Sequence, residues 1–289
     1  MKIMKIIKYF FEFIFVYILF IIFKIIGYKN ASSLGEKIGI LFGPLFRSKK
    51  KIEDNLKNSN IGTNDLDRKK IIKNMWGNYG RILAEYPFLK KFKNNTFKKY
   101  IEIEGINYLE EIKKNNKKVV FISGHFNNFE LMAMQLENSG LNVAAIYRPL
   151  NNIFLNNVME KIRVNHICKK QLKKGKSGTR ELIQLFRDGY SVALMIDQRV
   201  SEGLPVKFFN RDCLTTTIPA QLVKKYDCEV VPIYIERIDK HNFKMSVNKP
   251  IIFEKELSLE NITQKLNQIL ENMVLKNPDQ WIWSHNRWK

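Results

Sequence analysis

The sequence predicts an α/β sandwich built on a largely parallel central sheet, preceded by a single apolar helix at the N-terminus. Two observations predict it. From about residue 100, short runs rich in β-branched residues alternate with stretches of helical periodicity, the pattern of strands joined by crossover helices. Ahead of them, residues 3–26 are almost continuously apolar. With 289 residues, 45% hydrophobic and 27% charged, the chain is long and apolar enough for a sizeable core.

Residues 9–23 are apolar or aromatic except for Glu12, Lys24 interrupts, and Ile25 and Ile26 extend the run. As an α-helix, Ile3 to Ile26 would span about 36 Å at ~1.5 Å per residue, enough for a bilayer core of about 30 Å. Lys5, Lys8 and Lys24 are placed to snorkel to the interfaces. A spanning or deeply inserted membrane anchor over residues 1–28 is therefore the first expectation. A helix lying in the interface is the second. A cleaved signal peptide is the third, although Tyr28-Lys29-Asn30 separates the small residues Ala31-Ser32-Ser33 from the apolar run. Lysines ahead of the helix favour a cytoplasmic N-terminus, whereas Lys29, Lys37 and Arg47 to Lys51 behind it pull the other way, so charge leaves topology open.

Residues 29–99 read as an amphipathic helical region. Residues 31–48 are small and apolar, with Gly35, Gly39, Gly43 and Pro44, and 47–73 are polar and basic with a loop at Asn58 to Gly62. A helix is expected over 65–92, with Met75, Tyr79, Ile82 and Leu83 on one stripe that packs on the core or rests on a membrane. Residues 100–289 form the α/β core, and 31–289 reads as one domain. Strands are expected at 118–122, 141–147, 191–196, 229–236 and 243–253. Helices are expected at 129–138, 152–163, 179–187, 218–226 and 257–276.

The formal net charge of +21 attracts anions: nucleic acid, anionic lipid headgroups or an acidic carrier protein. No zinc-finger spacing, RNP1 string or basic zipper is present, so nucleic acid is not expected. Cys168, Cys213 and Cys228 form no CxxC pair, which argues against a disulfide framework, and no His/Cys/Asp cluster has metal spacing.

His125 follows the strand at 118–122 through Ser123-Gly124, and Glu130 comes five residues later. On one continuous helix the two side chains would diverge by about 140°. They can meet only if His125 sits in the loop and Glu130 in the first helical turn, at the sheet edge where α/β folds place ligands. Imidazole titrates near neutrality, and a carboxylate on its second nitrogen fixes the tautomer, which suits deprotonation of an alcohol. The bland alternative is a capping histidine with a glutamate favoured by the helix dipole.

Gly124-His125-Phe126-Asn127-Asn128-Phe129-Glu130 resembles the H-x4-(D/E) motif of the lysophospholipid acyltransferase superfamily, most closely its lipid A late acyltransferase branch (lauroyl and myristoyl transferases). The resemblance rests on the order of several blocks. Ile146 to Pro149 with Asn151-Asn152 looks like the Arg-Pro block, and Met195-Ile196-Asp197-Gln198 like the acidic block after a strand. Pro205 to Phe209 followed by Thr215-Thr216-Thr217, and the tail from Pro278 to Lys289, complete it. Asp197-Gln198-Arg199 lacks the second acid that some relatives carry, and the chain stops at Lys289 where several relatives continue.

The resemblance implies a glycerol-3-phosphate acyltransferase-like fold and transfer of a fatty acyl chain from an acyl carrier protein thioester to a hydroxyl of a lipid A precursor, an anionic glycolipid. The thioester is a co-substrate, and no cofactor is expected. The setting it implies is the inner membrane, with the catalytic domain facing the cytoplasm. His125 would be the general base, Glu130 its orienting acid, and backbone amides near the histidine loop would stabilise the oxyanion. Arg148 would grip phosphate, unless it makes a surface ion pair. Asp197, with Gln198 beside it, would position the acceptor or pair structurally with an arginine. Lys176 and Arg180, in a basic segment opening a helix, form an anion site or merely solvated charge; a P-loop is not expected, because Lys170 stands where its first glycine belongs.

Overall fold

The computed structural model describes residues 2–288. Met1 of the expected anchor and Lys289 of the C-terminal block lie outside them. Five helices come first: α1 (Lys2–Ile26), α2 (Tyr28–Phe42), α3 (Lys49–Asn58), α4 (Asp65–Glu85) and α5 (Leu89–Lys93). Gly27, with φ of 80°, supplies the left-handed turn that separates α1 from α2. The expected helix over 65–92 ends sooner, because Pro87 follows Tyr86 and the chain tightens into a 3-10 turn at Tyr86–Phe88 before α5.

The core alternates as expected, with additions. It runs β1 (Ile101–Glu104), α6 (Ile106–Lys114), β2 (Val120–Ser123), α7 (Glu130–Asn138), β3 (Val143–Tyr147), α8 (Ile153–His166) and β4 (Lys170–Lys173). It continues with α9 (Lys176–Arg187), β5 (Ser191–Met195), the hairpin β6 (Leu204–Phe208) and β7 (Arg211–Thr215), and α10 (Ile218–Tyr226). β8 (Val230–Arg237), β9 (Phe243–Val247) and α11 (Leu259–Lys276) close it. The seven-stranded sheet has the order β1-β9-β8-β2-β5-β3-β4. Its pairings are parallel except β8 with β9, so the largely parallel sheet of the sequence reading is present.

Burial sorts the strands. β2 lies in the middle and is buried throughout, as its Val-Phe-Ile run requires, whereas β1 and β4 at the edges are only partly buried. One contiguous apolar core joins residues from Phe20 to Trp283. Cys168, Cys213 and Cys228 sit inside it as free thiols. Burial pushes the Cys168 and Cys228 thiols up to about 12, which leaves them inert at neutral pH.

The glycines at 31–48 have a packing role. α2 crosses α4 with Gly35 and Gly39 against the backbone of Trp76 and Gly80, so backbone meets backbone, and Gly43 just beyond α2 lies on the Trp76 ring. A methyl added at Gly80 would land on the Gly35 carbonyl oxygen and 2.8 Å from Gly39 Cα. Gly80→Ala gains about 1 kcal/mol of helix propensity. The overpacking it forces costs about 1–3 kcal/mol and outweighs that gain. Gly80→Ala is therefore expected to lower the thermal midpoint of the detergent-solubilised protein, and a raised midpoint would show that the two helices do not meet this closely.

Candidate active site

The site is built at the C-terminal edge of the sheet. β2 and β5 are parallel neighbours paired Ser123 with Met195, and Ile196 N–H donates to Ser123 O at 2.9 Å. Two residues beyond that pair stand His125 and Asp197. His125 Nδ1 lies 2.8 Å from Asp197 Oδ1, and the backbone N–H of His125 donates to Asp197 Oδ2 at 2.8 Å. Trp281 Nε1–H donates to the same Oδ2 at 3.0 Å. Asp197 is fully buried, while the His125 side chain keeps 21% of its surface open.

This corrects the expected dyad. The carboxylate on the histidine ring belongs to Asp197, not to Glu130. Glu130 does begin α7, as the spacing argument required, but Arg163 of α8 takes its carboxylate through Nε at 3.0 Å and Nη2 at 2.7 Å. The buried Tyr86 hydroxyl donates to it as well. The positive φ of Asn127 turns the loop between them, and Asn127 is held by Gln280 through both its backbone and its side chain. Asn128 donates to Glu85 at 2.9 Å. The five-residue spacing thus places the histidine and the glutamate in one wall without a shared hydrogen bond.

The electrostatics follow from burial and pairing. Burial raises the Asp197 carboxyl, but the His125 charge and the donors from His125 and Trp281 outweigh it and hold the pKa at about 2. Burial lowers the His125 imidazole, and the Asp197 charge with its hydrogen bond overcomes this, leaving the group above its ordinary value. A carboxylate on Nδ1 places the proton there and leaves Nε2 as the basic nitrogen.

His125 and Glu130 line a cavity of about 1200 Å³. Arg148, Gln198, Lys176 and Arg180 line it too, so the structure brings every expected substrate-binding residue except Asp197 to one space. Arg148 is exposed and, among the described residues, makes no ion pair, which removes the surface-pair alternative. Lys176 is the first residue of α9, earlier than the expected start at 179, and Gly175 at its N-cap offers no side chain to occupy the free amides. Asp197 stands behind His125 and not on the cavity lining. The apolar wall includes Met132, Ala133, Ala145 and Ile146. Sequence reasoning missed Arg163, Trp281 and His285, although Trp281 and His285 belong to the C-terminal block that carried part of the resemblance. Four of the backbone amides near the histidine are already engaged. The N–H groups of His125, Phe126, Asn127 and Asn128 donate to Asp197, Gly124 O, Gln280 O and Asn127 Oδ1.

Comparison with known proteins gives these features a context. The family model described as bacterial lipid A biosynthesis acyltransferase matches residues 2–289. Lipid A biosynthesis acyltransferase 2 of Shigella flexneri is 26% identical over 254 residues, covering 86% of this chain and 80% of its own. The lipid A biosynthesis myristoyltransferase of Escherichia coli K12 is 23% identical over 222 residues, 76% of this chain and 68% of its own. Among solved structures, the 1-acyl-sn-glycerophosphate acyltransferase of Thermotoga maritima matches with 13% identity and a TM-score of 0.43, over 88% of this chain and 96% of that one.

The two carboxylates are separable by pH. A base must be neutral, so kcat/KM should rise through a His125 pKa above the ordinary ~6.5. Asp197→Asn removes the largest raising influence and leaves burial, so the acidic limb should move to lower pH. It should also lower kcat by about 10³–10⁴ through the wrong tautomer. Glu130→Gln should move the limb less, because its charge acts at a distance and is countered by Arg163. The reverse order of the two shifts in a pH–rate profile would restore Glu130 as the partner of the histidine.

Proposed function

The chain belongs to the bacterial lipid A biosynthesis acyltransferase family, and from that premise we propose that it transfers a fatty acyl chain from an acyl carrier protein thioester to a hydroxyl of a lipid A precursor, with His125 as general base. The observation that carries the reading is the His125–Asp197 pair, facing a large cavity whose walls are apolar on one side and basic at the rim.

The chemistry runs as a single acyl exchange. His125 Nε2 takes the proton of the acceptor hydroxyl as its oxygen attacks the thioester carbonyl carbon. Asp197 stabilises the imidazolium that forms. Collapse of the tetrahedral species breaks the C–S bond, and the imidazolium returns the proton to the leaving thiolate. No covalent enzyme intermediate is required. Arg148, Lys176 and Arg180 supply cationic contacts for phosphates of the acceptor or of the carrier's prosthetic arm. Glu130, engaged by Arg163 and Tyr86, shapes the wall beside the base.

The helix α1 supports a membrane setting. It is long and apolar, and only 11% of its most apolar window is buried. It does not stand away from the rest of the chain. Asn152 Nδ2 donates to Tyr9 O at 2.8 Å, and Phe154 packs against Phe10 and Phe13. From Tyr9 to Ile26 is about 26 Å of helix at ~1.5 Å per residue. A helix docked over that length favours the interfacial alternative over a span projecting from one end. Exposed Leu45 and Phe46 precede Arg47 and Lys51, and exposed Leu150 and Ile153 flank Asn151. Arg47, Lys51, Leu150 and Asn151 all line the cavity. An apolar fringe with basic residues behind it suits a mouth that opens on anionic lipid.

Two measurements test the reading. Purified protein in detergent, given acyl carrier protein thioesters and a lipid A precursor, should yield the acylated precursor by mass spectrometry, and His125→Ala should remove the product while the melting curve stays cooperative. Undiminished product from His125→Ala, or acylation of a lysophospholipid in preference to the glycolipid, would overturn the proposal.

A further inference from the structure

The amides of His125, Phe126, Asn127 and Asn128 are consumed by internal partners, which leaves fewer backbone donors for the developing oxyanion and gives a side-chain donor on the same wall a task. Other side chains on the same wall can supply a donor. His285 stands out among them. It lies in the C-terminal tail and lines the cavity together with His125. Its Nε2 accepts the backbone N–H of Arg199, two residues beyond Asp197, at 3.3 Å. A nitrogen that accepts cannot carry the proton, so a neutral ring holds it on Nδ1. Among the described residues no hydrogen bond reaches Nδ1, and that atom is not among the fully buried polar atoms left without a partner.

The backbone that carries the ring is held in place from both sides. Asn55 Nδ2 donates to the carbonyl oxygens of Trp283 at 2.9 Å and of His285 at 3.0 Å, which ties the tail to α3. The His285 N–H donates to Ile282 O at 3.4 Å. Its own surroundings keep it neutral: burial drives its pKa down to about 4, and the Asp197 charge that acts on it does not reverse this. Its bond to the Arg199 N–H, two residues beyond Asp197, and the cavity lining it shares with His125 put it at the same sheet edge as the reacting pair. A permanently neutral, fixed N–H donor stabilises negative charge as it develops, without adding a second cation that would weaken the base.

We infer that His285 donates its Nδ1–H to the thioester carbonyl oxygen as that oxygen becomes the oxyanion of acyl transfer. The inference rests on the reading that acyl transfer occurs at His125. The bond it makes is strongest in the tetrahedral species and is released when the C–S bond breaks. His285 is then a catalytic residue that touches the reacting atoms, distinct in task from Trp281, which acts on His125 through Asp197.

The test uses the full chain in detergent with the thioester and precursor described above. His285→Ala should lower kcat by about 10²–10³, the loss expected for one oxyanion donor. KM for both substrates should stay within about twofold, because the interaction is made only in the transition state. The acidic limb of the pH profile should stay where wild type has it, since His125 is untouched. His285→Gln, which keeps a neutral N–H donor, should recover part of the loss. Three results would overturn the inference: kcat of His285→Ala within about threefold of wild type, a loss confined to KM, or a shifted acidic limb with no recovery in the glutamine variant. His285→Ala with a lowered melting midpoint and no recovery in glutamine would assign the residue to structure alone. The His125→Ala control separates the levels: full activity there defeats the underlying mechanism, while an inactive control with an unaffected His285→Ala defeats only this step.

Discussion

The parallel register of β2 and β5 is the constraint on which the site depends. Because Ser123 is paired with Met195, the chain two residues further along each strand must emerge side by side. That fixes His125 against Asp197 without help from the loop that follows. Asp197 then accepts from the ring and the amide of His125 and from Trp281, so three donors surround a fully buried carboxylate. A carboxylate buried without partners would take up a proton; one that accepts this many charge-directed bonds stays ionised. The same arrangement decides the state of the histidine, whose burial alone would favour the neutral form. Backbone ladder, buried acid and base are one unit, and disturbing the ladder would cost the chemistry before it cost the fold.

Two further buried ion pairs tie the N-terminal helices to this edge. Glu85 of α4 is fully buried and meets Arg237 of β8 at 2.8 Å, Ser32 of α2 at 2.8 Å and Asn128 of the histidine loop at 2.9 Å. Glu130 meets Arg163 and Tyr86. Removing each charge from water costs several kcal/mol, and the attraction gained roughly offsets that cost. These pairs are therefore poor candidates for net stabilisation. What they do is positional: one carboxylate touches a helix, a strand and the loop at once, so the loop has one place to be. Losing one partner would leave a charge uncompensated beneath the site, a penalty of about 3–5 kcal/mol.

Much of the fold was legible because buried central strands write themselves in β-branched runs, as at 118–122 and 191–196. What was missed has specific causes. β4 reads Lys-Gln-Leu-Lys, and charge on an edge strand hides it from a search for apolar runs. The β6–β7 hairpin turns through Phe209 and Asn210, both at positive φ, where a glycine would have signalled the turn. α2 buries glycine and serine against α4, so its contact face carries no apolar stripe. The histidine was legible from its place after a strand. Its partner was not, because the five-residue spacing to Glu130 is local information, whereas the bond to Asp197 depends on strand order, which periodicity does not encode. The ordered acidic block did place Asp197 at the right edge.

The C-terminal tail joins these levels. Two of its tryptophans, Trp281 and Trp283, are fully buried in the core. Between them the tail residues reach Asp197, the histidine loop through Gln280, and α3 through the carbonyls that Asn55 holds. Arg287, also fully buried, donates to Leu214 O, Thr215 and Asn267 and stacks over Phe208. A guanidinium buried on neutral acceptors gains from directional bonds and from the ring face what it lacks in a counter-ion. That pins the tail to the hairpin and α11 on one side while Trp281 pins it to the acid on the other. The basic pair at the sheet edge is thereby braced from a segment more than eighty residues away in sequence. The order of short blocks along the chain is thus more informative than any one block, because blocks far apart in sequence form a single site.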